Sequence, residues 1–262
     1  MLEVENLEVT YSRVIVAVQG VSLKIPDHSI VALLGTNGAG KSTTVRAISG
    51  FLPVDDADIR KGTIRFAGQS ILGLPPYETA RRGVVLVPER RKIFETLTVE
   101  ENLRIAPHSG AAAAASANIE KLFEIFPILA ERRKQTSGYL SGGERQMLAM
   151  SQALLCSPKL LIVDELSLGL APLLVKELMT RLVELREKFN LSILLIEQDA
   201  RSALTIADYG YILEGGRVVY EGTAEKLRGH GDVQEFYLGS GDSARVSYRD
   251  VKQYRRSRRW WG

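Results

Sequence analysis

The chain has a single cysteine, Cys156, in 262 residues. An intrachain disulfide is therefore impossible, and neither a paired-cysteine metal site nor a disulfide framework can be built. A reducing cytoplasm fits that usage. The sequence also has no apolar run near the roughly 20 residues that a membrane-crossing helix requires. Its opening "MLEVENLEVTY" carries acids where a secretory leader carries bases, so neither a spanning segment nor secretion is expected. With 45% hydrophobic and 25% charged residues, the composition is that of a folded chain with one sizeable core, not of a disordered one. The net charge of +3 belongs to the end of the chain: residues 245–262 hold six Arg, one Lys and one Asp, which leaves 27 bases against 30 acids, a net −3, in residues 1–244.

Apolar residues alternate at Leu2, Val4, Leu7 and Val9, and again at Val14, Val16 and Val18, which predicts β-strands. "IVALLG" (30–35) is continuously apolar, as a strand buried on both faces would be. Similar runs at "VVLV" (84–87), "LLIV" (160–163) and "SILLI" (192–196), with helical spacing between some of them, predict a parallel α/β sheet. Residues 95–150 have helical spacing and no strand signal, so they read as a helical lobe inserted into that core. The low-complexity run "GAAAAASA" (110–117) reads as a helix start or spacer without chemistry. "YGYILEGGRVVYEG" predicts a hairpin turning at Gly215 and Gly216.

"GTNGAGKS" matches G-x-x-x-x-G-K-[ST] in full, between a buried strand and a helix. In such a loop Gly35, Thr36, Asn37, Gly38, Ala39 and Gly40 wrap backbone N–H groups around a triphosphate, and the helix N-terminus adds partial positive charge. Lys41 should reach the β- and γ-phosphates, Ser42 should bind Mg²⁺, and Thr43 is a further phosphate contact, so ATP and Mg²⁺ are the expected cofactors. "LLIVDE" ends another buried strand with two carboxylates, which is costly unless a cation or bound water uses them. Asp164 is the natural Mg²⁺ partner of Ser42, and Glu165 is placed to polarise a water towards the γ-phosphate.

"GTNGAGKST", "LSGGERQ" and "LLIVDE", in that order, resemble the ATP-binding-cassette family of transport ATPases over nearly all of residues 1–238. The resemblance implies an α/β, P-loop NTPase core with a parallel sheet, an N-terminal antiparallel β-subdomain and an inserted helical subdomain. The expected division is 1–94 (core, β-subdomain and phosphate loop), 95–150 (helical), 151–238 (rest of the core) and 239–262 (basic aromatic tail). It implies that Tyr11 stacks on adenine, and that Ser141, Gly142, Gly143 and Glu144 bind the γ-phosphate of a nucleotide held by another subunit. Ser141 with Glu144 three residues on also satisfies a helix capping box, and both roles are compatible.

Four positions depart from the family's commonest pattern: Glu89 stands where a glutamine serves the metal and attacking water, Leu166 replaces a proline, Ala171 an aspartate, and Gln198 a histidine. Gln198 still donates through its amide but cannot become cationic. Glu89 adds negative charge that a nearby Mg²⁺ would offset. "VLVPERRKIFETLTVEENL", "SLGLAP" and "LLIEQD" resemble the shorter ATPase subunit of branched-chain amino acid importers, in which glutamate and glutamine at these loops are familiar. This resemblance implies peripheral attachment at the cytoplasmic face of the inner membrane, a heterodimer with a sister ATPase, two transmembrane permeases and an external substrate-binding protein. Urea, short amides or other amino acids are alternative cargoes, and a mainly ATP-binding partner of the sister is an alternative role. The tail "RVSYRDVKQYRRSRRWWG" suits an anionic membrane surface or a permease contact. A solvated tail without a partner is an equal reading, and no base-reading module accompanies it to favour nucleic acid.

Overall fold

The computed structural model describes residues 1–52, 56–89, 93–106 and 112–237, without the side chains of 112–117 and 236. The tail 239–262, with its basic segment 245–262, lies outside the described residues, as do residues 110 and 111 of the alanine run. The strands are β1 (Leu2–Tyr11), β2 (Ile15–Ile25), β3 (Ile30–Leu34), β4 (Ala57–Phe66), β5 (Gln69–Ser70), β6 (Val84–Val87), β7 (Leu160–Asp164), β8 (Ser192–Glu197), β9 (Tyr209–Glu214) and β10 (Arg217–Thr223). The helices are α1 (Lys41–Ser49), α2 (Pro76–Arg81), α3 (Val99–Ile105), α4 (Ala112–Ile125), α5 (Pro127–Glu131), α6 (Gly142–Leu155), α7 (Pro172–Phe189), α8 (Ala200–Ile206), α9 (Ala224–Gly229) and α10 (Gly231–Phe236).

Two sheets result. An antiparallel sheet runs β2-β1-β4-β5, and a second sheet runs β10-β9-β3-β8-β7-β6 with every pairing parallel except that of the edge strand β10. Strand β3 sits in the middle of the second sheet, and all five of its residues are buried. Ile30, Ala32 and Leu34 face the helical core, while Val31 and Leu33 face the core shared with α1 and the antiparallel sheet. That period of two explains the unbroken apolar run, and each fully buried aliphatic side chain contributes roughly 1.5–3 kcal/mol.

The antiparallel sheet shows why its apolar pattern is uneven. Val4 and Leu7 are three apart yet both buried, because the register shifts between them and Asn6 takes φ 49, adding one residue to the strand. The expected alternation in the next strand holds only in part. Val14 lies in the turn and is 79% exposed, Val16 is 48% exposed, and only Val18 is buried. Ser12 and Arg13, at φ 46 and 61, turn the chain so that the end of this hairpin projects beyond the core.

The segment expected to be helical forms α3 to α6. Capping boxes start α3 at Thr98 with Glu101 and α6 at Ser141 with Glu144. Leu103, Phe126, Leu129, Leu148 and Met150 seal it against the sheet, and α6 continues past residue 150 to Leu155. Strands β3, β7 and β8 end together: Leu34 pairs with Glu197 and Asp164 with Ile196. The loops that follow these strands therefore emerge side by side at one sheet edge, where ligands of open parallel sheets bind.

Candidate active site

A cleft of about 610 Å³ opens at that edge, lined among others by Tyr11, Lys41, Ser42, Glu89, Glu165 and Gln198. Asn37, Gly38, Ala39, Gly40 and Thr43 also line it, whereas Gly35 and Thr36 act from behind by accepting hydrogen bonds from Lys41 Nζ at 2.9 and 3.2 Å. No side chain caps α1 at Gly40, so the helix presents uncapped N–H groups to the cleft, as an anion site requires. Gly40 needs its glycine. At φ 101 an L side chain is strained, and a Cβ there would lie 2.8 Å from the Ala17 carbonyl oxygen. Tyr11, at the end of β1, shares a hydrogen bond of 3.2 Å between its hydroxyl and Thr43 Oγ1.

Lys41 and Glu165 are both almost fully buried and stand 3.5 Å apart. Gln198 donates from Nε2 to Glu165 Oε2 at 2.7 Å, so its amide is directed at the carboxylate expected to act on water. Glu165 has φ 49, an uncommon conformation for a residue with a Cβ, and its N–H donates to the Ile196 carbonyl at 2.9 Å. Asp164 is buried, its Oδ1 has no hydrogen-bond partner among the described residues, and its pKa is pushed up to about 6. Burial is the main cause, followed by the negative charges of Glu165 and Glu89, with Lys41 and Arg46 opposing. Asp164 does not itself line the cleft but directly precedes Glu165, which does, and a buried, unpartnered carboxylate oxygen at that strand end fits a hard divalent cation. Among the described residues no group of three His, Cys, Asp or Glu could hold a metal.

None of Ser141, Gly142, Gly143 and Glu144 lines this cleft. At the start of α6 the Ser141 N–H donates to Glu144 at 2.7 Å, and the Glu144 N–H donates to Ser141 Oγ at 3.3 Å. A Cβ at Gly142 would meet Leu170 at 2.7 Å, so the bare backbone there also admits the loop after β7. Leu166, one of the departures from the family pattern, is buried in the helical core, and its carbonyl accepts from Gln146 Nε2 of α6 at 3.2 Å. Ala171 precedes α7, with Pro172 at the first helical position.

Ala17 and Leu168 also line the cleft without having been expected to. A buried acid, Glu197, was missed although "LLIE" carries the same signal as "LLIVDE", an apolar strand ending in a carboxylate. Glu197 accepts from the Ser167 N–H at 3.0 Å and from the Ser167 hydroxyl at 2.5 Å. Burial pushes its pKa from the ordinary 4.5 up to about 7, against the two Ser167 hydrogen bonds and with help from the charges of Glu165 and Asp199. A carboxyl that the fold prefers neutral adds stability below pH 4.5, and this is lost as pH rises through about 7. The loss approaches about 3 kcal/mol. Glu197→Gln, neutral at every pH, should remove that part of the decline, leaving a smaller one of the same sign from Asp164; denaturant unfolding at pH 5 and pH 8 checks this, and an unchanged decline refutes the assignment.

A family model described as "ABC transporter" matches residues 18–167. The chain is 38% identical over 239 residues to the High-affinity branched-chain amino acid transport ATP-binding protein BraG of Pseudomonas aeruginosa, covering 91% of this chain and 100% of that one. It is 30% identical over 257 residues to the High-affinity branched-chain amino acid transport ATP-binding protein BraF of the same bacterium, covering 91% and 98%. Among solved structures, the ADP conformation of an ATP-binding cassette of an ABC transporter matches with a TM-score of 0.77 at 27% identity, over 92% of this chain and 99% of that one.

Proposed function

Because this chain belongs to the ABC transporter family and is an ATP-hydrolysing subunit of it, we propose that it energises a membrane importer whose cargo is branched-chain amino acids. The observation that carries the chemistry is the convergence of Lys41, Ser42 and Glu165 on one cleft, with the buried Asp164 directly before Glu165, from two chain segments that the parallel sheet brings together. In this reading the uncapped N–H groups of α1 and Lys41 hold the phosphates, and Tyr11 supports the adenine. Ser42, Asp164 and Glu89 hold Mg²⁺, which when bound neutralises charge developing on the phosphoryl oxygens. Glu165 orients and deprotonates the attacking water, and Gln198 holds that carboxylate in place. Ser141 and the amides of Gly142 and Gly143 meet the γ-phosphate bound by a second ATP-binding subunit. The existence of two relatives of different similarity in one bacterium, both named for the same transport, supports a sister chain as that second subunit.

Among the described residues no helix is long and apolar enough to cross a membrane. Two permease subunits therefore form the path in this reading, and the chain attaches peripherally at the cytoplasmic face. An apolar groove of about 370 Å³ suits a permease helix: Phe94 and Ile105, 60% and 51% exposed, line it with Val87 and Pro88. Pro88 adjoins Glu89 of the nucleotide cleft, so a helix seated there would press on the same strand end. Branched-chain cargo rests on the named relatives, since no residue of an ATP-binding subunit need touch it. Reconstitution with the cognate permeases, sister ATPase and external binding protein tests both cargo and direction. The expected result is ATP-dependent accumulation of leucine, isoleucine and valine inside the compartment that holds ATP; uptake of urea or amides alone, or outward transport, overturns the assignment.

A further inference from the structure

We propose that Glu197 is a positioning residue for hydrolysis: its carboxyl group clamps Ser167 and so holds the backbone of Glu165, two residues earlier, in the conformation that presents the Glu165 side chain to the cleft. This rests on the reading of Glu165 as the group that activates water.

Three successive residues after β7 are each tied to a different support. The Glu165 N–H donates to the Ile196 carbonyl of β8, the Leu166 carbonyl accepts from Gln146 of α6, and Ser167 gives both its N–H and its hydroxyl to Glu197. Glu165 itself sits at φ 49. A residue with a Cβ in that region is strained and persists only where its surroundings over-determine it. Of the three supports, the Glu197 clamp alone holds both a backbone and a side-chain donor. Glu197 is 1% exposed and does not line the cleft, so it stands behind the site and not in it. Releasing Ser167 would let Glu165 relax towards ordinary backbone angles and withdraw its carboxylate from the path of the water. A displacement of about 1 Å suffices to slow a positioned reaction up to about a hundredfold. A serine hydroxyl donates or accepts, so a neutral amide at position 197 can take the same place, accepting from the Ser167 N–H and donating to its oxygen.

Steady-state hydrolysis by the full chain within its transporter complex tests the clamp, with kcat and KM for ATP measured separately. Glu197→Ala should lower kcat at least about tenfold with KM within about twofold, and Glu197→Gln should return kcat to within about threefold of wild type. Ser167→Ala, which removes one arm of the clamp at a half-buried surface position, should lower kcat in the same sense and carries the test if Glu197→Ala does not fold. Wild-type kcat in Glu197→Ala or Ser167→Ala, a raised KM with unchanged kcat, or Glu197→Gln as slow as Glu197→Ala each overturns the proposal. Glu165→Gln, measured alongside, separates the two levels. Loss of turnover there with full activity in the clamp variants refutes only the clamp, whereas retained turnover in Glu165→Gln refutes the role of Glu165.

Discussion

Glu165→Gln should lower ATP turnover by about a hundredfold to a thousandfold while leaving nucleotide affinity at or above that of wild type. The amide has the shape of the carboxylate but cannot take a proton from water, so the chemical step loses its acceptor. Binding should survive because Lys41, the proposed phosphate ligand, now spends its charge on Glu165 at 3.5 Å and on two loop carbonyls. Removing the negative charge frees Lys41 for the phosphates. Single-turnover hydrolysis and a nucleotide titration, both on the complex with the substitution in this chain alone, measure the two effects. Wild-type hydrolysis per site would remove Glu165 from the reaction. Transport that continues at the full rate while this site is silent would recast the chain as an ATP-holding partner of the sister subunit.

Gly216→Ala is the second change of large effect, and nothing at that position resembles an active site. Gly216 turns the β9–β10 hairpin at φ 76, donates its N–H to the Ala39 carbonyl of the phosphate loop at 3.0 Å, and accepts at its carbonyl from the Gln19 N–H at 2.7 Å. A Cβ there would lie 2.6 Å from the Ala17 carbonyl oxygen, a backbone atom that cannot swing aside. Strain and clash together should destabilise the fold by about 3 kcal/mol and weaken ATP binding about tenfold, because the loop must move with the hairpin. Gly68→Ala is the control: its φ is 78, but nothing lies within 4 Å of the added atom. It should cost only about 1 kcal/mol and leave ATP affinity untouched. Thermal unfolding and nucleotide titration of both variants distinguish clash from strain, and equal effects at the two sites would refute the buttress.

Much of the site was legible because its chemistry is written in consecutive residues. The Gly-rich loop, its lysine and serine, and the paired acids after "LLIV" each announce themselves within a few positions, and each sits on the element that the local pattern predicts. The hairpin at Gly215 and Gly216 was equally plain as a turn, but its contact with Ala39 was not. Glu197 escaped for a related reason: as one acid between an apolar strand and Gln198, it looked like the end of a strand until Ser167 was seen against it. The path after Glu165 could not be read from Leu166, which differs from the family's usual proline. Its burial and its bond to Gln146 make it an anchor between the β7 edge and α6.

By itself, then, the sequence determined the parallel α/β class, the glycine-rich loop before α1, the acid pair and the cap at Ser141, all properties of backbone preference and hydrophobic period over a few residues. Tertiary structure alone decided that Gln198 grips Glu165, that Glu197 grips Ser167 and that Gly216 braces Ala39. These partners stand 30 or more positions apart along the chain, and no local rule relates them. They meet because parallel strands far apart in sequence must end at one edge, and the angstrom-scale approach of their loops depends on how the whole core closes.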